Sequence, residues 1–349
     1  MQSAIISSRV VRLPGLSFRF HQRTVTVGAI LIGLILALGL WSLAAGEFPI
    51  ALDRVLATLV GQGEGSENFV ILSLRLPRVL TGIFCGLCFG VAGALLQSLV
   101  RNPLASPDII GFDAGAAFGA VATVIVFGGT GAIIAAGAIG GGLAAAAIVM
   151  LAAWSKGVLS PMRLVLVGIG AGAFFYAGMQ FLLTRSDIFE ASAAQAWLTG
   201  SLNARVWLHV QVAAFGALIL VPVGLSLHAS LERLEMGDDL AAALGTRVEL
   251  ARIGAGLVAV MLAAIAVASA GPLPFVALAA APLARRMTGA SGPTLLGAGL
   301  VGATIVLGAD LAGRLLFAPV QLPAGIFTAV LGAPYLLWLL ATQIRKGAM

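Results

Sequence analysis

Charge is what this sequence lacks most. Only 10% of its 349 residues are Asp, Glu, Lys or Arg, where a water-soluble globule carries about 25%. That leaves too little polar surface to coat a soluble fold, and a bilayer is the solvent that suits the remainder. No Gly-rich run matches G-x-x-x-x-G-K-[ST], so the chain binds no ATP through a P-loop. Histidine is scarce and scattered, and His21, His209 and His228 make no ligand cluster. The two cysteines, Cys85 and Cys88, form one C-x-x-C inside an apolar run. The next residue is Phe89, not the His of a haem attachment, and no second pair completes a zinc site. Both thiols read as small hydrophobes packed in a helix. Ionisable residues within the apolar runs are few; Asp113 and Asp310 are the main cases, and both fall near run ends. An ion-driven secondary transporter needs carboxylates deep in its bundle, and an intramembrane enzyme needs a nucleophile–base pair or metal ligands there. Both classes are disfavoured, and no residue is assigned a catalytic or metal-binding role.

What the chain has instead is 60% apolar residues and 45 glycines. About 20 apolar residues cross the hydrocarbon as a helix. Runs of that kind fall at 25–45, 79–100, 109–127, 131–153, 164–183, 206–227, 253–270, 273–287, 294–317 and 322–341. The expectation is an all-α, polytopic bundle of about ten transmembrane helices. It forms one membrane domain over 25–342, between tails at 1–24 and 343–349. The eighth run is short and follows Pro272 and Pro274, so it reads either as a tilted span or as a re-entrant segment. Abundant small residues allow helices to approach closely in lipid. The N-terminal tail holds Arg9, Arg12, Arg19 and Arg23 without an acid, and the C-terminal tail holds Arg345 and Lys346. Both ends are expected to be cytoplasmic, which requires an even number of spans. The net charge of +6 is read as this topology signal and not as a nucleic-acid face.

Four stretches stand out. Arg75-Leu76-Pro77-Arg78 lies at the expected outer mouth of the second span, with Arg314 near the outer end of the ninth. These residues read as snorkelling side chains or as a docking site for an acidic partner; for Arg314 the local alternative is an ion pair with Asp310, four residues earlier. Asn102 and Pro103 open a proline-stiffened turn, 101–108, which reads as a gate element or an ordinary connection. Leu234–Gly245 reads as a short cytoplasmic helix. Asp238 is its N-cap, Asp239 suits the helix dipole, Gly245 stops it, and Leu240 and Leu244 form an apolar edge suited to a partner's groove or to the membrane surface. Overlapping its start, Glu232 and Glu235 read as a solvated charge run. Between the fifth and sixth spans, 191–198 suits a surface helix whose Trp197 favours the membrane interface. Glu47, Asp53, Glu64 and Glu67 lie in an outer loop, 46–78, read as flexible around Gly61–Gly65.

Taken in order and spacing, these motifs resemble the permease subunits of ABC importers for iron–siderophore complexes, haem and cobalamin. The resemblance runs from about residue 40 to 342. It rests on Arg75–Arg78, Gly93 with Gln97, Arg101–Ala105 with Pro107 and Gly111, Trp197–Leu202, Gly237–Gly245, Ala270-Gly271-Pro272 with Phe275, Ala309-Asp310 with Arg314, and Leu322–Gly325. Within the family the stretches 101–112, 234–239, 284–289 and 321–325 look most like a permease for a catecholate siderophore. The resemblance implies no cofactor on this chain, with ATP on a separate ATPase. It implies a second permease subunit (a paralogue or a second copy), two cytoplasmic ATPases and a periplasmic or lipid-anchored substrate-binding protein, in a bacterial inner membrane. It implies that Arg75, Arg78 and Arg314 meet acids on the binding protein. Gly237, Asp238, Asp239, Leu240, Leu244 and Gly245 then belong to the element seated on the ATPase, and Gln97, Asn102, Pro103 and Trp197 to the pathway or its gates. The sequence departs from the family pattern at Leu283, where His is usual after Pro282, and at Ala277, where Gly is common.

Overall fold

Runs rich in Ala and Leu favour helix intrinsically, and in lipid a helix satisfies its backbone hydrogen bonds within one segment. The computed structural model describes the backbone of residues 8–13, 16–155 and 157–347, and the side chains of 21–155 and 157–342. It opens with a hairpin, β1 (Ser8–Leu13) and β2 (Leu16–His21), paired antiparallel with Leu13 opposite Leu16. Then follow α1 (Gln22–Ala44), α2 (Leu52–Leu59) and α3 (Gly65–Asn68). A widened π-helical segment, Phe69–Arg75, joins α3 to α4 (Leu76–Val100) without a break. Next come α5 (Phe112–Phe127), α6 (Ala132–Ala153), a small ribbon of β3 (Trp154–Ser155) and β4 (Val158–Leu159), and α7 (Pro161–Arg185). The chain continues through α8 (Ile188–Leu198), α9 (Trp207–Ser226), α10 (His228–Glu235), α11 (Asp238–Ala243) and α12 (Val248–Ala270). It closes with α13 (Val276–Thr288), α14 (Leu295–Leu315) and α15 (Ala324–Gly347).

Among the described residues, eight helices are long and apolar enough to cross a membrane: α1, the Gly65–Val100 rod, α6, α7, α9, α12, α14 and α15. The two remaining expected segments are shorter. Helix α5 has 16 residues because the chain from 102 to 111 is a turn, ended by Gly111 at φ 82°. Helix α13 has 13 residues, bounded by Phe275 at φ 66° and Gly289 at φ 69°. At 1.5 Å per residue it is about 20 Å long, short of the roughly 30 Å hydrocarbon core. The 273–287 run is therefore a short, packed helix and not a full crossing by itself. The expected flexible loop at 46–78 is corrected too, since it carries α2, α3 and the π segment. There Arg54 meets Glu67 at 3.1 Å, and that partner raises the arginine's pKa. The expected C-terminal tail does not begin with a break, because α15 continues to Gly347. The side chains of Arg9, Arg12, Arg19, Arg345 and Lys346 lie outside the described residues.

The middle of the bundle is α4, α12 and α14. In their most apolar stretches, 78% of the Gly65–Val100 rod and 72% of α12 are buried, against 22% of α7 and 28% of α15. The outer helices thus leave apolar faces uncovered by this chain. Glycine sets the closest approach within the core. A Cβ on Gly86 would collide with the backbone of Ala303, and one on Gly90 with the carbonyl of Ala298. From the other side, a Cβ on Gly302 would strike the carbonyl of Gly86. In lipid, where apolar burial drives helices together only weakly, such backbone-level contact supplies the packing.

Gly90→Leu is expected to force α4 and α14 apart and cost at least the 1–3 kcal/mol typical of overpacking, about the range that lowers folded yield. Monodisperse yield in detergent and melting temperature read this out; wild-type values for both would contradict the packing described.

Candidate docking and coupling sites at the two ends of the central helix

Arg75 and Arg78 sit where the π segment turns into α4, one helical turn apart. Of the two sequence readings, snorkelling to a surface is corrected, because both side chains fold inward and are only 8% and 9% exposed. Arg75 donates to three carbonyls at and just past the end of α1: Leu43 O at 2.7 Å, Ala44 O at 3.2 Å and Phe48 O at 2.5 Å. Arg78 grips both carboxylate oxygens of Asp310 on α14, with Nη2 to Oδ1 at 2.8 Å and Nε to Oδ2 at 3.0 Å. Arg314, one turn beyond Asp310, faces the same carboxylate at 3.5 Å and donates to the carbonyl and hydroxyl of Ser42. The local ion pair considered for Arg314 is present, but Asp310 is shared. Two buried guanidiniums thus share one buried carboxylate, and a third, Arg75, is held by carbonyls alone. All three line a cavity of about 620 Å³ together with Glu47, Asn203, Arg205 and Gln321. Sequence reading missed Arg205, whose Nε donates to Ser201 O at 2.9 Å and whose pKa is lowered by burial. The cavity carries excess positive charge: Glu47, its one acid, is engaged by Gln321 at 3.2 Å.

The opposite end of α4 is about 35 Å away by helix rise. Here α10 and α11 form an elbow at Gly237, φ 113°. Helix α11 ends as the sequence expected: Gly245 takes φ 80°, its amide bonds Ala242 O, and Thr246 N bonds Ala241 O, which together close a Schellman stop. Leu240 and Leu244 are each 57% exposed and, with exposed Met236, form an uncovered apolar edge; Asp239 points to solvent in the first turn. The N-cap expectation is corrected. Gly237 occupies the cap, and Asp238 turns away to pair with Arg252 and Arg101. Glu235 is no solvated charge either, since it meets Arg285 at 3.1 Å and accepts from Ser98 at 2.8 Å. The partners Arg252 and Arg285 were missed in sequence, because each lies beside other charges at the edge of an apolar run, Arg252 near Arg247 and Glu249 and Arg285 next to Arg286.

The residues assigned to the pathway separate. Gln97 is buried (2% exposed) and donates to Leu278 O at 3.1 Å. That carbonyl is the one Pro282, four residues later and without an amide hydrogen, leaves unbonded in α13. Gln97 therefore repairs a helix break within the protein and lines no open passage in this chain. Asn102 is exposed and its Oδ1 accepts from Leu104 N, a local turn that Pro103 stiffens. Trp197 is half-buried against α5 and α7 residues near Ala117 and Met179, so it is packed in protein and not free at a surface. Its neighbours Leu198 and Thr199 do meet the far end of the 102–111 turn. They line a cavity of about 320 Å³ with Asp108, Asp113, Pro272, Pro274, Gly325, Ile326 and Ala329. Oδ1 of Asp108 and of Asp113 has no hydrogen-bond partner among the described residues. No group of His, Cys, Asp and Glu able to hold a metal occurs among the described residues.

A family model described as the FecCD transport family matches residues 34–342. The chain is 39% identical over 325 residues to the ferric enterobactin transport system permease protein FepG of Escherichia coli, a match covering 93% of this chain and 98% of that one. It is 38% identical over 329 residues to the Fe(3+)-citrate import system permease protein YfmE of Bacillus subtilis, covering 94% and 98%. A solved structure described as an inward-facing conformation of a metal-chelate type ABC transporter superposes with a TM-score of 0.78 at 29% identity, over 91% of this chain and 99% of that one.

Asp310→Ala strands Arg78 and Arg314 without a buried counter-charge and is expected to cost about 3–5 kcal/mol. A melting temperature equal to wild type, in the same detergent, would contradict the shared-carboxylate account.

Proposed function

The chain belongs to the FecCD transport family, and we infer that it is the transmembrane permease subunit of an ATP-binding-cassette importer of iron chelates. It is a translocation subunit whose work is conformational. More finely, the cargo is a ferric siderophore, with a catecholate such as enterobactin favoured by the 39% identity to FepG. The 38% identity to a ferric citrate permease makes the iron chelate, not the catechol, the firmer part of that assignment. In this reading the chain pairs with a second permease subunit in a bacterial inner membrane, both termini facing the cytoplasm. Two cytoplasmic ATPases hold ATP, and an external binding protein delivers the chelate.

The observation that carries the reading is the opposition of two unlike surfaces at the ends of one rigid helix. At one end, Arg78 and Arg314 share Asp310 while Arg75 bonds carbonyls alone, which leaves excess positive charge facing a cavity. A carboxylate from a docked protein would answer that charge, and the desolvated setting strengthens the attraction. At the other end, Leu240 and Leu244 form the bare apolar edge of a short helix, which suits a groove on the ATPase. The 102–111 turn and the end of α8 are the gate elements in this account, moving as the pathway opens to one side at a time. Gln97 is withdrawn from the gate on its burial. Trp197 keeps a supporting place, packing the end of α8 against α5 and α7.

Two variants test the two ends. Arg75 bonds only carbonyls, so Arg75→Gln removes charge without exposing a buried acid; binding-protein affinity should fall about tenfold while assembly holds, since one charge-assisted contact is worth 1.5–3 kcal/mol. Leu240→Asp with Leu244→Asp should leave ATP hydrolysis by the ATPases in place but abolish uptake. Unchanged docking affinity in the first, or normal uptake in the second, would remove the role assigned to that end.

A further inference from the structure

We propose that Arg252 is the positioning residue that carries movement of the α10–α11 elbow into the spans, an inference that rests on the importer reading above. Arg252 lies in the second turn of α12, yet it is 2% exposed and heads the largest fully buried side chains of the protein. Its Nη2 holds both oxygens of Asp238, the first residue of α11, at 2.7 and 2.6 Å. Its Nη1 reaches Leu159 O at 3.3 Å and Glu249 Oε1 at 3.4 Å. Glu249 in turn accepts from Leu159 N at 2.9 Å. Both backbone groups of Leu159, in the ribbon joining α6 to α7, are thus held by side chains from one turn of α12. Arg101, at the left-handed C-cap of α4, adds a contact to Asp238 at 3.2 Å.

One guanidinium therefore ties the elbow to α12 and to the foot of α7, and its partner Asp238 ties it to α4. The elbow has a second anchor three residues earlier, where Glu235 meets Arg285 of α13 and Ser98 of α4. Gly237, at φ 113°, lies between the two anchors and is the natural pivot. The direction of the linkage follows from packing. Among the eight long helices, the Gly65–Val100 rod, which contains α4, and helix α12 are the most buried and α7 the least. A push on α11 meets a rigid core through Asp238 and a loosely held helix through Leu159. Displacement should therefore appear at α7. A solvated ion pair would swivel and transmit little, but the Arg252 guanidinium is buried and its two terminal nitrogens are divided between Asp238 and Leu159, which fixes angle as well as distance.

Arg252→Met is the informative variant, because an apolar chain of similar length can replace a buried ion-pair partner at little cost. It strands no buried charge, since the Asp238 and Glu249 side chains stay 43% and 31% exposed. The assembled transporter, with its ATPases and binding protein, is placed in sealed proteoliposomes with ATP and a radiolabelled ferric tris-catecholate, and both ATP hydrolysed and iron imported are counted. Arg252→Met is expected to hydrolyse ATP as wild type does while iron imported per ATP falls at least about fivefold, the low end of coupling between sites. Arg252→Lys, which keeps the charge but loses the fork, should fall in between. A wild-type ratio in Arg252→Met would overturn the proposal. Failure of both variants to assemble with the ATPases would overturn it as well, by making Arg252 a folding residue. Absence of ATP-driven iron uptake in the wild-type complex would instead sink the importer reading, and this inference with it.

Discussion

A hydrocarbon slab tolerates charge mainly at its rims, and the arrangement of this protein depends on that constraint. The core of α4 from Val79 to Leu99 carries no ionised side chain, while Arg75 and Arg78 stand at one end and Arg101 at the other. Each end then collects acids and arginines from helices distant in sequence: Asp310 and Arg314 at the first, Glu235, Asp238, Glu249, Arg252 and Arg285 at the second. The two clusters differ in character. The first has more cations than anions and faces a cavity. The second is balanced and ties an elbow with a bare apolar edge to the bundle.

What lies between the clusters makes them mechanically one object. Glycines at 86, 90 and 302 bring α4 and α14 into backbone contact, and Gly93 lies against the carbonyl of Ala277 on α13. Gln97 then bonds the carbonyl that Pro282 frees in the same helix. A core packed at this density behaves as a rigid body and switches between arrangements rather than deforming smoothly. Helices α7 and α15, largely uncovered by this chain, are the parts free to answer such a switch or to meet another subunit.

Much of this was legible in sequence, for physical reasons. A long apolar run in lipid has little choice but to be a helix, so the all-α bundle and the places of its segments followed from hydropathy. The elbow's end was legible because Gly245 supplies a left-handed residue where a Schellman stop needs one. Long-range pairing was not. Nothing in the spacing of Asp238 announces that it abandons the cap for Arg252, fourteen residues on. Likewise Arg78 and Asp310, 232 residues apart, look like isolated charges until the fold joins them. The short α13 was ambiguous because two prolines and a hydrophobic run are compatible with either a crossing or a packed segment. Family resemblance suggested the roles proposed for the arginines and the elbow; their burial and partners came only from three-dimensional packing.

The central claim is that this chain shapes a pathway and a transmission but draws its force from a separate ATPase. The most direct measurement places the purified chain in sealed vesicles, alone and with its partner subunits, and follows entry of a ferric chelate. With partners and ATP, iron should accumulate; with the chain alone, under an imposed proton or sodium gradient and no ATP, none should enter. Gradient-driven accumulation by the isolated chain would contradict the account.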